Sequence, residues 1–412
     1  MDSLKEARVG VEWSGQRIAA LLYADDMMLF ADYEEAMCRS LRMLQEWCEQ
    51  WVVKVNVQKC GVMHMRRKGV KKTLKEFYID GERIDVVEKY KYLGCMVNEH
   101  LECKGMIEER AMAGARAQSG WLRSCSAMVR ELRGSTFRKL MEALVETVLL
   151  YGAEVWGGSR ILKWVEQVQM RAAKIFLGVG RLHPRVSLQF EMQMVSLRFE
   201  AKKRCIEFWV KVLRMERNRL VRMVMLEAMG LRGKVKWIEN LKQSLEEIGW
   251  MGVGIEELGK LSNGDVVQML RDCVWRAVKE SWAVQAEQHS KLKVVKEMRK
   301  IQCEATCTDV ESKGIRRMLT KLRGGTAELR VETGRWSGLQ REERICKQCA
   351  LGEVENEAHF ALRCEALSEE RRNLLRHMEL VDGWQDGEEG AKLILEQACI
   401  DQRMGRELER MW

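Results

Sequence analysis

Two adjacent carboxylates near the start of the chain have the chemistry of a divalent-metal site. Asp25 and Asp26 fall in a short polar turn, Tyr23 to Asp26, between the apolar runs Ile18 to Leu22 and Met27 to Phe30. Carboxylate oxygens are ligands that Mg²⁺ prefers. Two such cations about 3.5–4 Å apart stabilise the attacking and leaving oxygens of an in-line displacement. Aspartate is also common in turns because it bonds its own backbone, so the pair alone leaves a purely structural role open.

Four further residues have the spacing of a metal site near the other end of the sequence. Cys346 and Cys349 form a CxxC pair, His359 follows, and Cys364 closes the set. Three thiolates and one imidazole complete the tetrahedral shell of structural Zn²⁺ sites. We predict a zinc-binding module over 346–364, with the CxxC pair in a tight turn and the other two ligands on a short helix or its edge. The alternative is four unrelated residues in a chain that contains 14 cysteines.

The first hundred residues predict a small β-rich region that positions the two aspartates. We expect a β-hairpin over 8–32, anchored by its apolar side chains. A helix over 33–51 should follow, begun by a capping arrangement of Asp32 and Glu35. Three more elements are expected after that helix: a strand over 52–65, a hairpin over 77–84 that turns at Asp80-Gly81, and a strand over 90–97.

From about residue 104 the apolar residues recur at helical spacing. The chain has one proline, Pro184, and proline breaks helices, so long uninterrupted helices are expected. Cys303 and Cys307 are interpreted as one helix face, because no ligand-type partner follows at suitable spacing before Cys346. The predicted helical segments are 104–132, 135–156, 160–179, 186–228, further helices within 235–300, and two amphipathic helices that close the chain.

Composition and charge restrict the class of protein. With 46% hydrophobic and 32% charged residues, the chain has a globular composition. The N-terminus lacks an apolar signal-peptide core, and no run approaches eighteen apolar residues. We therefore expect an intracellular protein of the nucleus or cytoplasm with no membrane partner. The net charge of +9, from 70 basic and 61 acidic residues, is compatible with nucleic-acid binding and equally with a slightly basic soluble protein.

Basic residues also cluster at four places in the sequence. Each cluster predicts phosphate contacts, which would make binding strongly dependent on salt. For each cluster taken alone, a solvated helix face is the alternative. The clusters are Arg66-Arg67-Lys68 with Lys71-Lys72, Lys202-Lys203-Arg204, Arg214 to Arg222, and Arg316 to Arg323.

Three segments in the first hundred residues resemble motifs of a known family. The stretch Leu21 to Phe30, around Tyr23-Ala24-Asp25-Asp26, closely resembles motif C of reverse transcriptases. Trp47 to Cys60 looks like the helix and motif D of non-LTR retrotransposon enzymes, and Lys91-Tyr92-Leu93-Gly94 looks like the strand that follows near the primer terminus. Leu329 to Trp336, together with the Cys/His set, looks like the zinc-binding segment found after the reverse transcriptases of these elements.

The resemblance implies a role for each of these positions. Asp25 would bind catalytic Mg²⁺ or Mn²⁺, and Asp26 would support it more loosely. Tyr23 would lie near the primer–template end, and so would the strand residues Tyr92, Leu93 and Gly94. Lys59 would face the triphosphate, although a solvated turn lysine is the alternative. The implied partners are the RNA and DNA of a template–primer.

One element of the family's catalytic site is missing from this sequence. The palm of these enzymes uses a third carboxylate, from a strand upstream of the carboxylate turn, in motif A. Only 24 residues precede Asp25, and the candidates there, Asp2 and Glu6, do not lie in an apolar strand. The fingers and the nucleotide-pocket motif B are also missing. We therefore expect a chain that starts inside the palm and has little or no polymerase activity alone.

These features together predict an α+β chain and a polymerase-derived function. We expect the C-terminal part of a non-LTR retrotransposon reverse transcriptase, an RNA-directed DNA polymerase. The alternatives are a non-catalytic, zinc-dependent nucleic-acid-binding protein derived from a retroelement, and a decayed reading frame with no selected role. The expected regions are a partial palm over 1–103, a helical thumb-like region over 104–230, a helical connector over 231–345, the zinc module over 346–364 and C-terminal helices over 365–412.

Overall fold

The structure of the 412-residue chain is a computed structural model. It is mixed, with small antiparallel hairpins in the first hundred residues and helices over most of the remainder. The residues that it describes are 9–13, 15–124, 132–160, 162–231, 235–250, 261–292, 306–378 and 388–412.

Two hairpins, not one, occupy the region predicted as a single hairpin over 8–32. The pairs are β1 (Val11–Trp13) with β2 (Gln16–Ile18), and β3 (Ala20–Tyr23) with β4 (Asp26–Leu29). The buried Ala19 separates β2 of the first hairpin from β3 of the second. Its carbonyl accepts a hydrogen bond from the Phe30 amide at 2.8 Å. Gly10 allows a close approach of the backbone here, because a Cβ there would lie 2.4 Å from the Ile18 carbonyl oxygen.

Two more hairpins follow later in the region. The pairs are β5 (Phe77–Ile79) with β6 (Glu82–Ile84), and β7 (Lys89–Tyr92) with β8 (Cys95–Asn98). The hairpin predicted over 77–84 is confirmed, and Asp80 and Gly81 both have positive φ, as a type I′ turn requires. The strand predicted over 90–97 is wrong, because the residues between β7 and β8 also both have positive φ and reverse the chain.

Helix α1 (Glu34–Trp51) confirms the helix expected after the first hairpins. The capping arrangement of Asp32 and Glu35 is wrong, because the N-cap residue is Tyr33 and no side chain caps the helix. Asp32 has a different partner: its carboxylate lies 3.7 Å from the guanidinium of Arg17 on β2.

Residues 52–65 do not form the predicted strand. Val52 ends α1 in the left-handed region, and the 3₁₀ helix Val57–Lys59 follows. Val62 alone pairs with another segment, in an isolated parallel bridge to Val86. Because the backbone-to-backbone hydrogen bonds recorded for residues 52–61 are all local, the alternating apolar residues there have no neighbouring strand to pair with.

A small apolar core joins α1 to the β5–β6 hairpin and to Leu29 of β4. An isolated two-stranded hairpin is marginally stable in water, so this core and the side-chain bonds around it must hold the region together. The buried members are Leu41, Val62, Phe77, Ile79 and Ile84.

Helices form most of the described chain after residue 103. The helix Gly134–Met141 continues through a π-helical turn, Glu142–Glu146, into Thr147–Leu149. Among the described residues, none of the helices combines the length and the apolar character needed to cross a membrane. In the described residues from 104 to 345, the α-helices are α2 (Lys104–Ser124), α3 (Gly134–Met141), α4 (Ala153–Trp156), α5 (Lys163–Leu177), α6 (Arg185–Met192), α7 (Leu197–Leu213), α8 (Leu220–Gly230), α9 (Lys236–Glu247), α10 (Asn263–Gln288), α11 (Lys313–Arg323) and α12 (Arg330–Trp336).

Two apolar cores organise these helices. The larger one extends from α2, α3 and α5 to α11 and to the helices after residue 367. Within it, Phe137 stacks on Phe176 with ring centroids 4.4 Å apart, and Trp121 packs against Phe137 at 5.3 Å. The second lies among α7, α9 and α10 and includes Trp209 and Trp282. Each core buries several large side chains, which is the main source of stability for a helical region of this size.

Three helices, not two, follow residue 365 in the described part of the chain. They are α13 (Ser368–Met378), α14 (Glu388–Ile400) and α15 (Gln402–Met411). The interpretation of Cys303 and Cys307 as one helix face is also wrong for Cys307, which begins the 3₁₀ helix Cys307–Asp309. Cys303 lies outside the described residues.

Candidate functional site

The Tyr23 to Asp26 turn lies at the tip of the β3–β4 hairpin. Tyr23 pairs with Asp26 across the ladder, so Ala24 and Asp25 are the two turn residues. Ala24 has a φ of 51°, in the left-handed region that costs an L-residue roughly 1–2 kcal/mol. A strained turn persists only where the flanking structure holds it, and here the ladder holds two adjacent carboxylates at the tip.

The hairpin that carries this turn is more exposed than the sequence predicts. Leu21, Leu22 and Tyr23 are 42%, 50% and 65% exposed, so the expected apolar anchoring is wrong for these side chains. The reason is topological, because in the described chain β3 and β4 pair with each other and with no further strand. Asp25 and Asp26 are therefore both open to solvent.

Tyr90, on β7, holds the segment that carries Lys59. Its hydroxyl donates to the Lys59 carbonyl, and a Cβ on Gly61 would lie 3.2 Å from its ring. Burial raises the pKa of the Tyr90 phenol, and the nearby charges of Cys60 and Asp26 raise it further. The backbone of Lys59 is thus fixed to β7 through Tyr90, while its side chain is exposed.

The Tyr92-Leu93-Gly94 segment ends β7 and forms its turn, which a tyrosine from the helical region holds. Leu93 and Gly94 have φ values of 45° and 77°. The Tyr151 hydroxyl donates to the Leu93 carbonyl at 2.7 Å, and a Cβ on Gly94 would lie 3.0 Å from the Tyr151 ring. The Arg110 guanidinium lies over the same ring, 5.5 Å from its centroid. The turn is therefore fixed to α2 and to the end of α3, a constraint that the sequence analysis did not find.

Asp25 and Asp26 have no third close ligand among the described residues. No third His, Cys, Asp or Glu side chain forms a compact ligand group with them in that part of the chain. Asp2 and Glu6, the upstream candidates, lie outside the described residues. The described site therefore offers two carboxylates to a cation and leaves the remaining coordination positions to water or substrate oxygens.

The four residues predicted as zinc ligands converge. Their ligand atoms all lie within 4.8 Å of one another. The Sγ atoms of Cys346 and Cys364 are 3.9 Å apart, and Cys349 Sγ is 3.5 Å from His359 Nε2. A tetrahedron with Zn–S bonds of about 2.3 Å and Zn–N bonds of about 2.0–2.1 Å has S···S edges of about 3.8 Å and S···N edges of about 3.5 Å. The donor set and its spacing therefore fit Zn²⁺.

The surroundings of His359 prepare it to bind a cation. His359 begins the π-helical turn His359–Arg363 and is fully buried. Its Nδ1 lies 3.1 Å from the Glu353 carboxylate, which orients the ring and leaves Nε2 for the metal. The backbone amide of His359 donates to the Asn356 side chain at 2.8 Å. The short helix predicted to carry this ligand is thus present.

The rest of the chain holds the module in place. An isolated antiparallel bridge joins Ile345 to Val354 and closes the loop that contains the CxxC pair. Arg371, on α13, donates to the carbonyls of Leu362 and Cys364. These contacts join both ends of the ligand set to the rest of the chain.

Two of the predicted basic clusters contain buried cations and do not offer a continuous phosphate-binding surface. Arg316 is 1% exposed and lies over the Phe176 ring, 4.1 Å from its centroid. Arg323 is fully buried, and Lys202 is 3% exposed and paired with Glu247. Apolar packing on both sides of α7 and α11 explains the difference, because it buries positions that the sequence places in basic runs.

The basic loop over 66–72 remains available to a polyanion. Its first residue, Arg66, is anchored by an ion pair of 2.9 Å with Glu99, just after β8. Beyond this anchor, Arg67, Lys68 and Lys71 are exposed. The loop therefore presents cations from a fixed base at the end of the β7–β8 hairpin.

Comparison with known proteins agrees with the motifs in the first hundred residues. Residues 3–97 match the family described as reverse transcriptase (RNA-dependent DNA polymerase). Over 163 residues the chain is 24% identical to an uncharacterized transposon-derived protein of Caenorhabditis elegans. That alignment covers 39% of this chain and 56% of the relative, so the chain spans little more than half of the curated relative that it matches. The N-terminal segment, which contains the carboxylate turn, is therefore reverse-transcriptase-like.

Replacing one cysteine tests the proposed zinc ligands. We expect one zinc per chain by mass spectrometry of the purified protein, and loss of that zinc in Cys346→Ser, because three donors cannot close the tetrahedral shell. Chelation should unfold the module, since binding of structural zinc contributes roughly 10–16 kcal/mol. Cys273→Ser, which changes a buried cysteine of α10, should keep the metal. Full zinc content in Cys346→Ser would rule out this assignment.

Removing one hydroxyl tests the contact between Tyr151 and the β7–β8 turn. Tyr151→Phe keeps the ring but loses the bond to the Leu93 carbonyl, which should cost about 1 kcal/mol. Amide hydrogen exchange of residues 93–96 should become faster than in the wild type. Tyr78→Phe is the matched control. In the described structure the Tyr78 hydroxyl donates to the side chain of Glu76, two residues away, and not to the β7–β8 turn. Unchanged exchange at 93–96 would show that this contact does not hold the turn.

Proposed function

We propose that this chain is derived from the reverse transcriptase of a non-LTR (LINE-type) retrotransposon and binds RNA–DNA template–primer. The observation that carries the proposal is the hydrogen bond from the Tyr90 hydroxyl to the Lys59 carbonyl, which joins the segments that resemble motif D and the primer-end strand. The charge of Asp26, in the turn that resembles motif C, also raises the pKa of the Tyr90 phenol. Motif C, motif D and the primer-end strand would meet in this way in the family that the motifs resemble. The family match over residues 3–97 supports the same reading.

The proposal assigns a role to each region of the chain. The hairpins and α1 are a partial palm, and the helices that follow form a thumb and a connector around the duplex. The zinc module is a structural unit that orders the chain between the connector and the last helices. The proposed regions are 1–103 for the palm, 104–230 for the thumb-like region, 231–345 for the connector, 346–364 for the zinc module and 365–412 for the C-terminal helices.

In the proposed site, Asp25 and Asp26 would hold Mg²⁺ or Mn²⁺ at the hairpin tip. Such a cation, when bound, supplies a positive charge that stabilises phosphoryl oxygens. The exposed ring of Tyr23 would lie against the primer–template end, and the exposed ammonium group of Lys59 would contact the phosphates of the incoming nucleotide. The turn at Leu93-Gly94, held rigid by the helical region, would position the primer terminus.

We further propose that these 412 residues bind template–primer without extending it. Two adjacent carboxylates supply part of the negative charge that two divalent cations require, and the described residues add no third ligand. Without that ligand, the positioning of both cations and the balance of charge are weakened. A non-catalytic, zinc-dependent nucleic-acid-binding protein derived from a retroelement is the functional class that this observation favours.

Primer extension tests the catalytic part of the proposal. Purified protein with oligo(dT) on poly(rA), and with Mg²⁺ or Mn²⁺, should give no dTMP incorporation above background. A retroviral reverse transcriptase on the same template is the positive control. Robust incorporation that Asp25→Ala abolishes would contradict the proposal, because it would show that the chain completes the metal site by itself.

Binding at several salt concentrations tests the nucleic-acid part. We expect an RNA–DNA hybrid to bind at 50 mM salt and much more weakly at 200 mM, as counterion release predicts. The double variant Arg67→Ala/Lys71→Ala should lower the slope of log K against log salt by roughly 2, about one per lost phosphate contact. Lys242→Ala/Arg410→Ala removes the same charge elsewhere and should keep the slope. No binding of the wild type at 50 mM salt would remove this function.

A further inference from the structure

Two cysteines outside the zinc module meet inside the helical region. Cys307, at the start of the 3₁₀ helix before α11, and Cys399, in the last turn of α14, have Sγ atoms 3.8 Å apart. They are 92 residues apart in sequence, so this contact depends entirely on the tertiary fold. The sulfur atoms are in van der Waals contact, and a disulfide bond of about 2.05 Å requires a further approach of roughly 1.8 Å, within reach of side-chain rotation.

A buried ion pair lies beside the two sulfur atoms. Arg323 Nε is 2.8 Å from Glu191 Oε1, and both side chains are fully buried. The same guanidinium donates from Nη1 to Cys399 Sγ at 2.8 Å. The second oxygen of Glu191 accepts the backbone amide of Cys307 at 2.8 Å. One carboxylate and one guanidinium thus position both cysteines from α6 and α11.

This arrangement favours the thiolate form of one cysteine. The hydrogen bond from Cys307, with the positive charge of Arg323, lowers the pKa of Cys399, while burial raises the pKa of Cys307. As a thiol, Cys399 donates to the Leu395 carbonyl at 3.3 Å. As a thiolate, it keeps two donors, the Arg323 guanidinium and the Cys307 thiol. The thiolate is the nucleophilic form of cysteine, so Cys399 is the cysteine that would react first.

Cys399 is also the more accessible of the two. It is 8% exposed, whereas Cys307 is fully buried. The next residue, Ile400, is 62% exposed and ends α14. The last turn of a helix opens more readily than its centre, so a local opening at the end of α14 would expose Cys399 to a small oxidant.

We propose that Cys307 and Cys399 are a modification site, a thiol pair that closes to a reversible disulfide when a small peroxide reaches Cys399. In the first step the Cys399 thiolate attacks one peroxide oxygen, an S–O bond forms, the O–O bond breaks, and hydroxide leaves and takes up a proton as water. In the second step Cys307 Sγ attacks the sulfenic sulfur, the S–S bond forms, the S–O bond breaks, and the thiol proton leaves with hydroxide as water. Two thiols and one hydrogen peroxide give one disulfide and two waters.

The disulfide would link the C-terminal helices to the helical core. α14 carries one sulfur, and the segment before α11 carries the other, so the bond closes a loop that contains the whole zinc module. A cross-link over a long loop stabilises the folded state mainly by restricting the unfolded chain. The oxidised protein should therefore melt several degrees above the reduced one, and amide exchange in α14 should slow.

Peptide mapping of the zinc-loaded protein tests the proposal. The protein is treated with one equivalent of hydrogen peroxide, free thiols are blocked with iodoacetamide in denaturant, and tryptic peptides are analysed by mass spectrometry. We expect a peptide pair linked through Cys307 and Cys399, two hydrogens lighter than the separate peptides and lost after dithiothreitol. Zinc content, measured in parallel, shows whether the ligand cysteines stayed bound.

Three outcomes would overturn the proposal in the wild type itself. They are recovery of both cysteines as blocked thiols, stable sulfinic acid at Cys399 with Cys307 free, and linkage of Cys399 to a different cysteine. Cys307→Ser should stop the linked peptide and the rise in melting temperature. Cys273→Ser replaces a cysteine of α10 that has the same exposed fraction as Cys399. This variant should keep the linked peptide and the rise in melting temperature. The mapping needs no nucleic acid, so its result is independent of the proposed template–primer binding.

Discussion

The hydrogen bond from the Tyr90 hydroxyl to the Lys59 carbonyl is the contact on which the N-terminal region most depends. In the described part of this region, the four hairpins do not share a sheet, so no continuous ladder among those residues fixes their relative positions. A small core around α1 and a few side-chain bonds must do so. Tyr90 ties the turn after α1 to β7, and Tyr151 ties the β7–β8 turn to the helices. The position of the Lys59 segment against β7 therefore depends on the Tyr90 side chain together with the backbone bridge between Val62 and Val86.

In the helical region, buried charged side chains fix the relative positions of segments. An unpaired buried charge costs several kcal/mol, so each such group must find partners. Arg323 pairs with Glu191, and Arg316 lies over Phe176 and donates to the carbonyls of Leu132 and Val310. These contacts join segments that are far apart in sequence. They also mean that part of the formal charge of +9 lies inside the protein, where a polyanion cannot reach it.

Local signals in the sequence were sufficient for part of this structure. The Asp80-Gly81 turn, α1 and the convergence of the four Cys/His residues were predicted because turn chemistry, helical period and ligand spacing are local properties. The single strand predicted over 90–97 was wrong because Leu93 and Gly94 reverse the chain and divide it into two paired strands. The prediction over 52–65 was wrong because the existence of a strand depends on a partner, and that partner is set by tertiary packing. Tyr90 and Tyr151 were missed for the same reason, since nothing in their neighbouring residues marks them as contacts to Lys59 and Leu93. The reverse-transcriptase-like segment was recognisable because its motifs keep their order.

The central claim is that Asp25 and Asp26 hold a divalent cation beside the Lys59 segment. Paramagnetic broadening of amide NMR signals by Mn²⁺ tests it most directly, because the effect depends on distance from the bound ion. Substoichiometric Mn²⁺ should broaden signals of residues 23–26, 59–60 and 90 and leave those of α7 unchanged. Asp25→Ala/Asp26→Ala should remove this pattern, and excess Mg²⁺ should compete with it. Broadening centred elsewhere, or the same in the wild type and the double variant, would contradict the account.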